Sequence, residues 1–370
     1  MAISNFASVN RDETALNLAW ANGKEARFPF FWLRDHCPEP ESLNVDTWQR
    51  EVDTFSIPLD IDASSYELDE AGETLSVTWS NDGFKSRFPT DLLYIAAFGE
   101  QHQADPILWD KASLQSNIQT HQFKDVMNTE EGLDSYLKTL EERGFAIVEG
   151  MENNMECTRQ MAERIAYIRE SIFGGLWDFK ADQAHSDTAY STVGIGPHTD
   201  STYSHDAPGL QMLHCIEYKA EGGLSVFADG FKVAEVIKNE DQELFDALTT
   251  MNVTGRYLEP GVNLQSSRPV VRLDERGNYK QVSYNNFDRA PVLMEEKKMK
   301  LFYRAIRRFN EFVNDPEMQV TFQLVEGKAV IFDNWRVLHA RTSFAGIRHM
   351  AGAYFNHEDF ESKIRVLRQK

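Results

Sequence analysis

A histidine and an aspartate two residues apart, with a second histidine far downstream, constrain what the chain can fold into more than any other feature. Pro197-His198-Thr199-Asp200 reads as part of a strand, and alternation turns residues i and i+2 to the same side. His198 and Asp200 can therefore hold one metal ion together. Much later, Phe332-Asp333-Asn334-Trp335-Arg336-Val337-Leu338-His339 ends another strand on a histidine. Only a tertiary fold can bring the three side chains to one point.

The rest of the chain supplies the elements for such a fold. Up to about residue 105 it reads as short β-strands with a weak internal echo. Trp20-Ala21-Asn22-Gly23 leads to Arg27-Phe28-Pro29, and Trp79-Ser80-Asn81-Asp82-Gly83 leads to Arg87-Phe88-Pro89. Asn-Gly and Asp-Gly tolerate the positive φ of tight turns, so each copy predicts a hairpin and residues 1–105 a small β-domain. Residues 106–130 are polar and irregular and read as a linker. A catalytic domain is expected over 131–370. Its first helix is capped by Asn128 or Thr129, carries Leu133, Tyr136, Leu137 and Leu140 on one stripe, and stops at Gly144. A second helix places Met161, Ile165 and Ile168 on one face. A third, near 295–314, does so with Met299, Phe302, Ile306, Phe309 and Val313, a core stripe. Apolar runs of strand length lie at 145–148, 211–215, 225–227, 320–324, 329–332 and 351–355. The reading is mainly β: a catalytic β-domain with flanking helices, preceded by a smaller β-domain.

Composition excludes several partners. The net charge is −20, from 58 acidic against 38 basic residues, which repels nucleic acid and anionic membranes. Hydrophobic residues make up 42% of the chain, enough for a sizeable core. Cys37, Cys157 and Cys215 form neither a disulfide framework nor a paired-cysteine metal motif, and no stretch has the length of a membrane span. A cytoplasmic protein is expected.

Two imidazoles and one carboxylate leave coordination positions open. Non-haem Fe(II) oxygenases use this arrangement because oxygen and a bidentate 2-oxoacid must both reach the metal. A His-x-Asp alone is a weak signal among 10 histidines. The distal His339 strengthens it, and so does Arg348 soon after, whose guanidinium can pair bidentately with the far carboxylate of 2-oxoglutarate. Taken alone, Arg348 reads as a surface salt bridge.

Longer motifs carry a family resemblance. Ser186-Asp187-Thr188-Ala189-Tyr190, His198-Thr199-Asp200-Ser201-Thr202-Tyr203, Gly222-Gly223 and Asp229-Gly230-Phe231 resemble the γ-butyrobetaine and trimethyllysine hydroxylase family. So do Tyr284-Asn285-Asn286-Phe287-Asp288-Arg289, the Asp333–His339 run, and Phe31-Trp32-Leu33-Arg34-Asp35-His36-Cys37 near the start. The resemblance implies a double-stranded β-helix (jelly roll), Fe(II), O2, and 2-oxoglutarate cleaved to succinate and carbon dioxide. It casts His198, Asp200 and His339 as iron ligands and Arg348 as the 2-oxoglutarate clamp. It also implies a homodimer. Members often hold a structural zinc in the amino-terminal domain. Here Cys37 stands without a second cysteine nearby, and Phe88 falls where the family has a histidine, so no structural zinc is expected.

By the same resemblance the substrate is a small trimethylammonium compound. Such a group donates no conventional hydrogen bond and is held by aromatic faces. The family's cage positions fall on Phe173, Trp177, Tyr190 and Tyr354, with Ser201 and Tyr203 nearby. Asn285 and Asn286 are candidates for the substrate's anionic end, and Arg289 is a pocket residue that could hold Asp187 turned away. Asp187 disfavours a simple γ-butyrobetaine pocket, because an aspartate faces a carboxylate poorly unless protonated or paired. The favoured substrate is 2-(trimethylamino)ethylphosphonate, hydroxylated next to the phosphonate. γ-Butyrobetaine or trimethyllysine is the alternative, and a non-catalytic jelly-roll binding protein the rival from another class.

Overall fold

The computed structural model describes residues 4–99, 104–179 and 192–368, and the chain divides into two compact units, residues 1–101 and 102–370. In the first unit the internal echo is a structural repeat. Phe6–Arg11, Ala15–Trp20 and Glu25–Pro29 form one antiparallel meander, and the helix Phe30–Asp35 follows it. Ala63–Leu68, Thr74–Trp79 and Lys85–Pro89 form a second, followed by Thr90–Phe98. Gly23 and Gly83 take the predicted turns at φ 82° and 70°. Trp20, Trp79, Phe28 and Phe88 are all buried, so the repeated aromatics are the unit's core.

In the second unit, helix Glu130–Arg143 begins and ends as its sequence predicts. The Thr129 hydroxyl accepts from Gly132 N, and Gly144 closes the helix in the left-handed region. The stretch 106–130, expected as a linker, instead carries helix Lys111–Leu114, strand Thr120–Gln122 and helix Phe123–Asn128. Its polar residues are caps: Asp110 and Ser113 form a capping box, while Trp109 among them is fully buried. Ile168 does not extend the helix Met155–Ile165, but lies on a short strand paired with Phe355.

Two sheets make the double-stranded β-helix. The larger has seven strands, ordered Ile168–Arg169, Phe344–Phe355, Leu210–Gly222, Lys328–Asp333, Phe145–Glu149 and Thr120–Gln122, with Leu176–Phe179 also paired to Phe344–Phe355. The smaller runs Ile195–His198, Val337–Arg341, Ser225–Asp229, Gln319–Phe322. Between them lies an apolar layer in which the Phe227 ring meets Phe145 at 5.2 Å and Phe332 at 4.9 Å. Removing such a buried ring costs roughly 3–5 kcal/mol. Helices Glu130–Arg143 and Met155–Ile165 pack on the large sheet, and Gly230–Glu240, Gln242–Thr250 and Glu296–Val313 pack on one another beside the small sheet.

Two of the longer motifs are explained by a buried ion pair. Arg336 and Asp229 meet at 2.8 Å with 1% and 0% side-chain exposure. Arg336 also donates to the Glu142 and Ile107 carbonyls, while Asp229 caps the helix Gly230–Glu240 by accepting from Phe231 N. Breaking such a pair from one side strands a buried charge, at a cost of roughly 3–5 kcal/mol. The three cysteines are unpaired and buried. Among the described residues no helix is long and apolar enough to cross a membrane.

Candidate metal centre

His198 ends the strand Ile195–His198, and its register partner on the neighbouring strand is His339. That pairing closes the long gap in sequence and sets the two imidazoles 4.2 Å apart, centroid to centroid. Asp200 follows just beyond the strand. Its Oδ1 lies 3.3 Å from His198 Nε2 and 3.7 Å from His339 Nε2. Among the described residues this is the group of three whose ligand atoms could hold one metal ion. His198 Nδ1 donates to the Gly196 carbonyl at 2.8 Å, which fixes its tautomer and turns Nε2 toward the centre.

Electrostatics fit a cation. Burial alone would raise the Asp200 carboxyl, but the His339 and His198 rings outweigh it and hold it below the usual carboxylate range. Burial, reinforced by the charge of His198, pushes His339 down to about 3. On His198 burial is outweighed by Asp200, and the ring is raised. An ionised carboxylate and a neutral imidazole face one point, with a second imidazole whose proton a metal would displace. A donor set of two nitrogens and one carboxylate oxygen suits Fe(II) with positions to spare.

The centre lines a cavity of about 340 Å³. Arg348 and Arg341 reach it from the two sheets, and the buried Arg348 Nε has no hydrogen-bond partner among the described residues. Burial lowers Arg348, and burial with the Arg348 charge pushes Arg341 to about 10. Two crowded guanidiniums in one cavity favour an anion there.

The expected pocket residues divide. Phe173, Ser201, Tyr203, Asn285 and Tyr354 line the cavity with the triad. Trp177 does not. It packs over Gly352, where a Cβ would collide with the indole, and its ring tilts against Tyr354 at 4.9 Å. Phe179, two residues on and turned to the same side of its strand, takes the wall position. Asn286 and Arg289 line a small second depression with Thr202 and Ile306, and the Arg289 guanidinium lies over Tyr303 at 5.5 Å. Asp187 and Tyr190 lie outside the described residues. Asn285 spends its amide locally, accepting from Phe287 N and donating to Asp288 at 2.8 Å.

Sequence reading misses the hairpin strand Asn252–Glu259, from which Arg256, Tyr257 and Leu258 enter the cavity. The signal is Gly255. A Cβ there would sit 2.5 Å from Thr202 Oγ1, so only glycine lets the hairpin approach the loop after Asp200. Tyr257 then meets Tyr203 at 5.0 Å and Phe173 at 6.2 Å, three rings in one cluster.

Fold and centre define an Fe(II)- and 2-oxoglutarate-dependent dioxygenase. Residues 110–354 match the taurine catabolism dioxygenase TauD, TfdA family, and residues 7–94 match the γ-butyrobetaine hydroxylase-like N-terminal region. Trimethyllysine dioxygenase of Meyerozyma guilliermondii is 32% identical over 96% of this chain and 94% of its own length. Mitochondrial trimethyllysine dioxygenase of Bos taurus is 33% identical over 96% of this chain and 86% of its own. Dioxygenase str8 of Strobilurus tenacellus is 29% identical over 93% of this chain and 86% of its own. The chain belongs to the γ-butyrobetaine and trimethyllysine hydroxylase branch of the TauD/TfdA family.

Proposed function

We propose that this dioxygenase hydroxylates a small molecule with a trimethylammonium group at one end and an anionic group at the other. The observation that carries it is the aromatic cluster Phe173, Tyr203 and Tyr257 in the same cavity as the triad, with the exposed residue Arg256 among those that line it. The ring faces suit a cation that cannot be hydrogen-bonded, and Arg256 suits the opposite charge. His198, Asp200 and His339 hold iron in this reading, and Arg348 grips 2-oxoglutarate through its far carboxylate. Iron bound there would supply the oxygen activation that accompanies decarboxylation of 2-oxoglutarate to succinate. Overall, R–H, O2 and 2-oxoglutarate give R–OH, succinate and carbon dioxide. The protein's share is placement: aromatic walls and Arg256 fix which carbon of the substrate faces the centre.

Trimethyllysine, named in several relatives, is the first candidate. Arg256 N donates to the Asp288 carbonyl at 2.8 Å, and both residues line the cavity. The paired backbones carry a cationic and an anionic residue on adjoining segments of the cavity wall, which suits the carboxylate and ammonium of an amino acid. The phosphonate expected from sequence is the second reading, since Arg256 equally suits a doubly charged anion. A homodimer is part of the proposal and is read by light scattering. The deciding experiment is succinate release by iron-loaded protein with trimethyllysine, 2-(trimethylamino)ethylphosphonate, γ-butyrobetaine or glycine betaine. Strongest turnover with trimethyllysine supports the first reading and with the phosphonate the second. Turnover with none of them overturns the trimethylammonium reading.

A further inference from the structure

Tyr354 is expected from sequence as a wall of the ammonium cage, and its surroundings add a second role. Its hydroxyl donates to Asp200 Oδ2 at 2.7 Å. The residue is 5% exposed, and its ring lies against Trp177 at 4.9 Å. With Oδ2 engaged by a charge-assisted hydrogen bond, Oδ1 is the oxygen turned to both imidazoles. A second residue fixes the backbone of the same aspartate. Asn334, 1% exposed, accepts from Asp200 N at 2.7 Å and donates to the Asp200 carbonyl at 3.2 Å and the Pro208 carbonyl at 2.9 Å. The next residue, Ser201, sits at φ 56°, a left-handed conformation that a serine adopts only when its surroundings impose it.

We propose that Tyr354 is a positioning residue for the metal ligand Asp200, acting with Asn334 to present a single carboxylate oxygen to the iron. The two contacts come from different places. Tyr354 lies near the end of a strand of the large sheet, and Asn334 lies in the turn between strands Lys328–Asp333 and Val337–Arg341. Asp200, which follows the small sheet, is thus held at its carboxylate by one and at its peptide groups by the other. Such outer contacts tune ligand orientation, and losing one typically weakens metal binding roughly 10–100-fold. The inference rests on the reading that His198, Asp200 and His339 hold the iron.

Tyr354→Phe separates the two roles, because it keeps the aromatic face and removes only the hydroxyl. Mn(II) affinity is measured by calorimetry on metal-free protein, with the Co(II) visible spectrum as a second readout and thermal melting as the control for folding. The expected result is Mn(II) binding weakened about tenfold and a shifted Co(II) spectrum, at a melting temperature near the parent's. Mn(II) affinity within twofold of the parent and an unchanged Co(II) spectrum would overturn the proposal. If the variant melts early, Asn334→Ser is measured the same way: weaker Mn(II) binding in a folded variant supports the clamp, and parental binding overturns it. Asp200→Ala tests the underlying reading separately, since parental Mn(II) affinity in that variant removes the iron site itself.

Discussion

The candidate metal centre and the proposed substrate mouth share one cavity, yet they are built on different terms. The centre is held from behind: His198 and His339 by strand register, Asp200 by Asn334 and Tyr354, Arg348 by burial in the large sheet. The mouth is held by approach. Arg256 and Leu258 reach it from an exposed hairpin, and Phe287 stands 65% exposed at its edge. The difference teaches that a chemical step common to a family can be fixed in a rigid β-frame, while the choice of substrate rests on elements outside that frame.

Four measurements would break or sharpen this contrast. Replacing His339 with alanine should remove all measurable Fe(II) binding in a protein that still folds; retained stoichiometric iron would break the frame side outright. Arg348→Met should raise the KM for 2-oxoglutarate by about a hundredfold, equivalent to roughly 3 kcal/mol for two charge-assisted hydrogen bonds lost. Its KM for the trimethylammonium substrate should stay near the parent's. A pH effect follows from His214, fully buried on the face of its strand turned away from the cavity and hydrogen-bonded to Thr158 at 2.7 Å. Burial pushes it down to about 4, from an ordinary imidazole value near 6.5. The unfolded chain therefore binds a proton that the folded chain refuses between those values, so stability falls as pH falls through that window. From pH 7 to 5 the loss is about 2 kcal/mol. His214→Gln should flatten the melting temperature over that range, and an unchanged slope would remove His214 as its source. The smallest effect belongs to the mouth: Arg256→Met should raise the substrate KM about tenfold, roughly one exposed charge contact, and leave Fe(II) affinity as it was. A change in iron binding there would mean that the two regions are not separable.

What could be read in the sequence follows the same division. His198 and Asp200 were legible as a pair from their short spacing, although Asp200 lies just beyond the strand expected to carry it, while His339 and Arg348 drew their weight from the longer motifs around them. The helices over 130–143 and 296–313 were legible because caps and apolar stripes are local signals. Tyr354 was found in the cavity, but its hydrogen bond to Asp200 spans residues 154 apart and leaves no local trace. Trp177 and Phe179 point to one side of their strand, and pattern alone does not say which of them meets Gly352. Arg256 and Tyr257 carry no periodic signal, since three consecutive residues of that strand reach the cavity. The linker expected at 106–130 failed for a similar reason. Its polarity is that of capped helices around a buried tryptophan.

The strand Phe344–Phe355 has one more consequence. Arg348, Met350 and Tyr354 all look into the cavity because they are separated by even steps, with Gly352 between them admitting the indole of Trp177. Losing a single codon anywhere in the middle of that strand would turn the residues beyond it to the opposite face. Arg348 and Tyr354 could then no longer face the centre together, whichever amino acid had gone. Losing two residues would restore the facing but carry Tyr354 roughly 7 Å along the strand from Asp200, so the length of this strand is as constrained as its facing.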